Sequence, residues 1–267
     1  MDQLNITTIQ SALFWEDKTA NLNMFEQKIK SIRENTHVVV LPEMFSTGFS
    51  LQAEKLGETM DGPTLAWMKR VAKEKGVILA GSLIVEEDGR YFNRLVWMLP
   101  NGSLGTYDKR HCFSLAGEDK HFSPGNKRTI ASVGGWRINL QVCYDLRFPV
   151  WARQRVHAAP EKGAAPEYDV LINVANWPEK RSLAWKTLLQ ARAIENQVYV
   201  VGVNRVGNDG NGVFHSGDSM VVGPLGELLY HHRDEEHTHT ITLSKPELEK
   251  TRRLFPFWKD ADAFGIL

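Results

Sequence analysis

Apolar positions near the start of the chain alternate between a strand period and a helix period. Residues 4–10 alternate loosely, which predicts a strand. Between residues 18 and 33 the apolar positions are spaced by three, four and three residues, which predicts a helix buried along one face. Those positions are Leu22, Phe25, Ile29 and Ile32. Residues 38–41 form a continuous apolar run that stops at Pro42, as expected of a short buried strand.

A second helix is predicted from Pro63, with Leu65, Met68 and Val71 on one face and Gly76 at its end. Strand periods then dominate. Residues 77–85 and 91–99 flank a Glu-Glu-Asp-Gly turn, and residues 129–133 and 136–142 flank two glycines, so two hairpins are predicted. A further strand ends near residue 107.

The second half of the chain contains one more helix among strands. Residues 183–195 have a helical period, with Trp185, Leu188, Leu189 and Ile194 expected on the buried side. Strands are predicted at 168–174, 198–203, 218–222, 228–230 and 238–243. The Ala- and Pro-rich segment 157–167 is expected to be a surface loop. This mixture of hairpins and strand–helix alternation favours an α/β sandwich over a purely parallel sheet.

Composition and charge exclude several classes of protein. The 267 residues include 32 Lys plus Arg and 32 Asp plus Glu, and 42% are hydrophobic. Because there is no basic excess, a nucleic-acid or anionic-membrane surface is not expected. No window approaches the roughly 20 apolar residues of a membrane span, and no signal peptide is visible. Two cysteines are too few for a disulfide framework, so a cytoplasmic protein with reduced thiols is expected.

Three reactive side chains follow apolar strands directly: Glu43, Lys109 and Cys143. The ends of strands are where α/β folds collect functional groups. A thiol could attack a substrate while a carboxylate removes its proton and an ammonium stabilises negative charge. Each residue taken alone also has a structural interpretation, as a packed cysteine, a loop carboxylate and a solvated lysine.

Other polar residues leave alternatives open. Arg147 could bind a substrate carboxylate or form a structural salt bridge. Asn176 and Trp177 follow a strand and could line a pocket, although a tryptophan is more often part of the core. Histidines 231, 232, 237 and 239 flank an acidic turn without a metal-ligand pattern, so a solvated hairpin and no metal site are expected. Cys112 lies in an apolar stretch and is expected to be packing.

Four segments in register resemble the nitrilase superfamily of carbon–nitrogen hydrolases. They are LPEM (41–44), YDKRHCF (107–113), EDKHFSPG (118–125) and CYDLRFP (143–149). The resemblance extends to NVANWP (173–178) and ARAIENQVYVVGVNRVG (191–207), and the pattern is most similar to omega-amidases. It covers residues 4 to about 245. The sequence departs from the pattern in a short stretch between Phe113 and Glu118 and in the segment 157–167, which looks like an insertion.

The resemblance implies a role for each matching residue. Cys143 would be the nucleophile that forms a thioester, and Glu43 would be the general base. Lys109 and the backbone N–H of Tyr144 would stabilise the oxyanion, and Glu118 would orient the other groups.

The resemblance also implies the fold, the reaction and the assembly. The expected fold is a four-layer αββα sandwich, in one domain over residues 1–267 with a tail from 246. The expected activity is hydrolysis of the omega-amide of small dicarboxylic monoamides such as 2-oxoglutaramate, with release of ammonia and without a cofactor, by a homodimer. Hydrolysis of N-carbamoyl amino acids or of nitriles remains an alternative, as does a non-catalytic binding protein on the same fold.

Overall fold

The computed structural model describes residues 1–159, 163–262, 264 and 265. Six strands form the first sheet in the order β15-β1-β2-β3-β4-β5. Their bounds are β1 (Gln3–Gln10), β2 (Val38–Val40), β3 (Ile78–Glu87), β4 (Arg90–Met98), β5 (Leu104–Asp108) and β15 (His237–Ser244). The β1–β2 and β2–β3 pairs are parallel and the others are antiparallel.

The second sheet has seven strands in the order β12-β13-β11-β10-β7-β6, with β14 also paired to β13. They are β6 (Ile130–Val133), β7 (Trp136–Val142), β10 (Val170–Ala175), β11 (Tyr199–Asn204), β12 (Val206–Asn208), β13 (Phe214–Val222) and β14 (Leu228–Arg233). The β7–β10 and β10–β11 pairs are parallel. The segment expected as a surface loop instead contains a small hairpin, β8 (Val156–Ala159) with β9 (Gly163–Pro166), and its residues 160–162 lie outside the described part.

Six α-helices in the described part of the chain accompany the sheets: α1 (Lys18–Ser31), α2 (Ala53–Leu56), α3 (Pro63–Lys75), α4 (Pro149–Ala152), α5 (Ser182–Asn196) and α6 (Lys245–Leu254). The carboxylate of Asp17 caps α1 by accepting the N–H of Ala20, as its position predicts. Pro63 begins α3, and Gly76 ends it with a positive φ of 72°. None of the described helices is both long and apolar enough to cross a membrane.

Side-chain alternation along the strands creates the layers. In β2, Val38 and Val40 point into the core between the two sheets, while Val39 points to the layer of α1 and α3. In β10, Ile172 faces the same inter-sheet core and Leu171 packs under α5. Helix, sheet, sheet and helix therefore follow one another, which confirms the expected four-layer αββα sandwich.

One residue of the expected buried face of α5 is misplaced. Trp185 and Leu189 are fully buried, but Ile194 is 53% exposed. The face of a 15-residue helix that covers a sheet is narrower than the set of its apolar residues, so an apolar side chain beside the stripe remains in contact with solvent.

The predicted histidine hairpin is wrong. Strand β14 pairs with β13 in the second sheet, whereas β15 pairs with β1 in the first, so the acidic turn connects two sheets. The histidine rings stack across that connection, with ring centroids of His232 and His237 4.1 Å apart. The His239 ring similarly lies 4.0 Å from that of Tyr230. Within the described residues, no group of three or more His, Cys, Asp or Glu side chains could hold a metal ion.

Helix α6 belongs structurally with the sandwich, although the predicted tail begins at residue 246. Leu248 is buried in the core between the sheets. Arg252 reaches the buried carboxylate of Asp169 at 2.9 Å, which Lys245 contacts at 2.6 Å and Arg137 at 3.2 Å. The pairs from Lys245 and Arg252 fasten the C-terminal helix to the start of β10, and the pair from Arg137 joins β7 to the same carboxylate.

Candidate active site

Three strand ends bring the predicted reactive residues to one edge of the sandwich. Glu43 follows β2, Lys109 follows β5 directly and Cys143 follows β7 directly. Glu43 and Lys109 come from the first sheet and Cys143 from the second. The structure therefore places the site where the loops of both sheets meet.

The carboxylate of Glu43 is fully buried and held from three sides. Its Oε1 accepts hydrogen bonds from Lys109 Nζ at 2.9 Å and from Asn93 Nδ2 at 2.8 Å. Its Oε2 accepts the backbone N–H of Asn176 at 2.8 Å. The loop itself is fixed because Met44 N–H donates to Ser82 Oγ at 2.9 Å. These contacts leave Glu43 in one orientation.

Lys109 lies between two carboxylates. Its Nζ is 2.9 Å from Glu43 Oε1 and 2.8 Å from Glu118 Oε2, and its side chain is only 1% exposed. Glu118, which follows the short stretch that departs from the family pattern, is thus in direct contact with Lys109. The short stretch after Phe113 forms two successive 3-10 turns, and Glu118 Oε2 accepts the Phe113 N–H. The shortened segment therefore still delivers Glu118 to the site.

Cys143 begins a tight turn with a backbone φ of 45°, a left-handed conformation that is unusual for a residue with a side chain. The 3-10 turn Cys143–Arg147 follows β7. Asp145 braces this turn, since its Oδ2 accepts the Val142 N–H at 3.1 Å and the Tyr107 hydroxyl at 2.7 Å. The strained position of the thiol is thus fixed by a fully buried carboxylate.

A cavity of 460 Å³ opens over Cys143, large enough for a small-molecule substrate. Its lining includes Lys109, Cys143, Tyr144 and the predicted substrate-binding residues, with aromatic walls from Trp15, Phe49, Phe113 and Trp177. The side chains that could attack a substrate and stabilise an oxyanion thus line the same cavity.

Burial and neighbouring charges set the protonation of the site. Burial raises the pKa of the Cys143 thiol well above its ordinary value, Glu43 adds to this, and Lys109 opposes it. Burial alone would lower the pKa of Lys109, but Glu118 and Glu43 outweigh it and raise that pKa well above 10.5. Burial also raises the pKa of Glu118. At neutral pH the resting site therefore contains a protonated thiol beside a charged lysine.

Two predicted substrate-binding residues have clear structural contacts. Besides its backbone bond to Glu43, Asn176 donates from Nδ2 to the Glu43 carbonyl oxygen at 2.5 Å, so it positions Glu43. Trp177 is buried and donates its indole N–H to the carbonyl of Arg181 at 2.8 Å, while its ring supports the Arg147 guanidinium at 4.9 Å. Within the described residues Arg147 has no carboxylate partner, which removes the salt-bridge interpretation.

Three residues of the site escaped prediction from the sequence. Asn93 lies in the middle of β4 and donates to both Glu43 and Glu118, the latter at 3.3 Å. Asp145 stood inside the resembling CYDLRFP segment without an assigned role. Asn204 accepts the Trp177 N–H at 2.8 Å and donates to the Trp177 carbonyl at 2.9 Å. Asn204 lies in the last segment that resembles the family, residues 191–207, and this position was the signal from which its role could have been predicted.

Cys112 has the expected packing role. It packs beside Phe122 in a small apolar cluster, and its Sγ lies 3.7 Å from the Phe122 carbonyl oxygen. Burial, strengthened by the charge of Glu118, raises its pKa to about 12. Such a thiol is protonated at neutral pH, and unlike Cys143 it does not line the cavity with Lys109.

Comparison with known proteins agrees with this geometry. The carbon–nitrogen hydrolase family model matches residues 3–253. The chain is 42% identical to the omega-amidase YafV of Escherichia coli K12 over 267 residues, which is all of both chains. It is 31% identical to the 2-oxoglutaramate amidase of Bacillus subtilis, with 96% of each chain covered.

Solved structures show the same architecture. The crystal structure of XC1258 from Xanthomonas campestris, a CN-hydrolase superfamily protein with an arsenic adduct in its active site, aligns with a TM-score of 0.96. It is 41% identical and covers all of both chains. Nit3 of Saccharomyces cerevisiae, from the nitrilase superfamily, aligns with a TM-score of 0.82 at 24% identity, covering 96% of this chain and 95% of Nit3. The chain therefore belongs to the carbon–nitrogen hydrolase family.

Proposed function

We propose that the protein is an omega-amidase that hydrolyses the terminal carboxamide of small dicarboxylic monoamides such as 2-oxoglutaramate. The observation that carries the proposal is the buried Lys109, which bridges the Glu43 and Glu118 carboxylates and lines the same cavity as Cys143. A binding protein gains nothing from a strained thiol next to a buried base and ammonium. The omega-amidase and 2-oxoglutaramate amidase relatives support this class of substrate.

The first half of the reaction forms a thioester. Glu43 takes the proton of the Cys143 thiol as sulfur attacks the amide carbon. Lys109 and the backbone N–H of Tyr144 stabilise the negative charge that develops on the amide oxygen. Glu43 then gives its proton to the leaving nitrogen, the carbon–nitrogen bond breaks and ammonia departs.

The second half regenerates the enzyme. Glu43 removes a proton from a water molecule, which attacks the thioester carbon, and the dicarboxylate leaves as the sulfur regains a proton. Glu118 holds Lys109 in place through both halves and does not touch the substrate. Arg147, at the cavity wall, binds the substrate carboxylate that lies at the other end from the amide.

An ammonia-release assay tests this proposal. The wild-type protein is given 2-oxoglutaramate, succinamate, glutamine, asparagine, an N-carbamoyl amino acid and a nitrile. We expect turnover of the first two above the rest. We also expect Cys143→Ala to abolish turnover and Cys112→Ala to retain most of it, because only Cys143 lines the cavity with Lys109. An active Cys143→Ala enzyme, or a preference for another substrate class, would refute the assignment.

We further propose that the protein is one catalytic domain that works as a cytoplasmic homodimer. Its two free cysteines suit a reducing compartment. Leu183 and Ile194 on α5 are 77% and 53% exposed, and such apolar side chains on a helix suit a partner surface. Analytical ultracentrifugation tests the assembly: a monomer at micromolar concentration would contradict it.

A further inference from the structure

The charged groups that line the cavity divide into paired and unpaired sets. Lys109 is neutralised by its two glutamates. The Glu16 carboxylate accepts hydrogen bonds from Lys55 Nζ at 2.9 Å and Ser50 Oγ at 2.7 Å. Asp209 Oδ1 accepts two backbone N–H groups of its own loop. Two cations remain, Arg147 and Arg181, and neither has a carboxylate within ion-pair distance among the described residues.

Both guanidinium groups rest on aromatic rings. The Arg147 Cζ lies 4.9 Å from the ring centroid of Trp177, and the Arg181 Cζ lies 5.2 Å from that of Phe113. A guanidinium that stacks through its face keeps the in-plane N–H donors at its edge free for a carboxylate. Both arginines are therefore held in place without using the donors that recognise an anion.

Trp177 connects the two arginines. Its ring supports Arg147, while its indole N–H holds the main chain of Arg181 at 2.8 Å. Trp177 is in turn fixed by both backbone hydrogen bonds to Asn204. The two cations thus come from separate segments, the turn after Cys143 and the residue before α5, and share one rigid support.

We propose that Arg181 is a specificity-determining residue that joins Arg147 in a two-arginine site for the substrate carboxylate distal to the amide. This proposal rests on the proposed amidase function and deepens it. It assigns the preference for anionic over neutral amides to Arg181, which lies outside the turn Cys143–Arg147 that contains the nucleophile. Two guanidinium groups in a cavity with aromatic walls attract a carboxylate more strongly than one exposed arginine would.

The test compares an anionic amide with a neutral amide of equal length. Succinamate carries the distal carboxylate, and 4-oxopentanamide replaces it with a neutral acetyl group of the same shape. We expect Arg181→Gln to raise the KM for succinamate about 10- to 100-fold, the range for losing a hydrogen bond to a charged group. The kcat for succinamate and the kcat/KM for 4-oxopentanamide stay within about twofold of wild type. Arg181→Lys restores part of the succinamate affinity, because it keeps the charge without the planar fork.

Lys180→Gln is the matched control, since Lys180 is exposed, adjacent in sequence and outside the cavity lining. It leaves both substrates unchanged. An equal effect of Arg181→Gln on both amides, or a fall in kcat alone, would show that Arg181 acts only through the local backbone and would overturn the proposal.

A binding measurement separates this proposal from the amidase function. Calorimetry with succinate on the Cys143→Ala variant measures the anion site without turnover. Weaker succinate binding in the Cys143→Ala, Arg181→Gln double variant supports the two-arginine site, and unchanged binding refutes it. Absence of ammonia release from both amides by the wild-type enzyme would instead refute the proposed function.

Discussion

Removing the charge of Lys109 is the sharpest perturbation of the site. In the folded protein one ammonium contacts two fully buried carboxylates, those of Glu43 and Glu118, at 2.8–2.9 Å. Lys109→Met retains most of the side-chain volume but leaves both carboxylates without their shared cation. Asn93 then remains as the side chain that donates to both.

The magnitude follows from burial. Removing one partner of a buried ion pair typically destabilises a protein by about 3–5 kcal/mol, because the remaining charge stays buried without compensation. We expect Lys109→Met to lower the free energy of unfolding at pH 7 by that amount. An exposed ion pair would contribute only about 0–1 kcal/mol, so the measurement distinguishes the two situations clearly.

The pH dependence has a defined sign. Burial raises the pKa of Glu118 above its unfolded value, because removing the charged carboxylate from water costs free energy in the folded state. Without Lys109 this penalty is fully present above the raised pKa of the folded state. It disappears as the pH falls towards the unfolded value of about 4.3. The stability difference between wild type and Lys109→Met is therefore largest near neutral pH and shrinks in acid.

Urea unfolding from pH 4 to pH 8 measures the stability, and iodoacetamide alkylation measures the reactivity of Cys143. Lys109 lowers the pKa of this thiol, so Lys109→Met slows its alkylation, and Lys109→Arg restores alkylation better than turnover. Ammonia release falls by about 100- to 1,000-fold, as when an oxyanion donor is lost. Lys127→Met, at an exposed position, is the control. Wild-type stability and alkylation in Lys109→Met would show that the assigned constellation is wrong.

Two further predictions test the supports of the site and of the fold. We expect Asn93→Ala to lower kcat for amide hydrolysis by at least about tenfold with little change in KM. The reason is that Asn93 orients Glu43 and Glu118 but lies outside the cavity lining. A change confined to KM would contradict this role. Burial opposes the charge of Asp169, but hydrogen bonds from its cationic neighbours outweigh burial and lower the pKa of this carboxyl to about 2. The charged carboxylate therefore stabilises the fold fully above the unfolded pKa of about 3.9, and this stabilisation is lost as the pH falls through 2. Asp169→Asn therefore lowers the free energy of unfolding by about 3–5 kcal/mol at neutral pH and by less in acid. Asp61→Asn, at an exposed site, is the control and should not show this loss. An equal loss of stability at every pH in Asp169→Asn would refute the ion-pair explanation.

The sequence by itself determined most of the helix and strand segments and the reactive strand ends. Period-two and period-3.6 patterns arise from how a strand or helix presents its own neighbouring residues, so short segments are enough to specify them. Glu43, Lys109 and Cys143 could be singled out for the same reason, since each follows an apolar run. Their grouping into one site and their individual roles came from the resemblance of several segments, in the same order, to one enzyme family. A single short motif would not have been specific enough.

Only the tertiary structure decided which strands pair and which side chains meet. Strand β15 joins β1 across more than two hundred residues of sequence, and β14 turns to the other sheet. That choice depends on long-range packing, which the local pattern of histidines and acidic residues does not encode. The predicted hairpin failed for this reason.

The same limit applies to the supports of the site. Asn93 lies within β4 like any strand residue, and only the packing of loops from several strand ends brings it to Glu43 and Glu118. Arg181 is an ordinary charged residue before a helix until Phe113 and Trp177 close around it. Contacts between segments far apart in the chain thus determine which polar residues become functional, because burial and proximity are properties of the folded molecule.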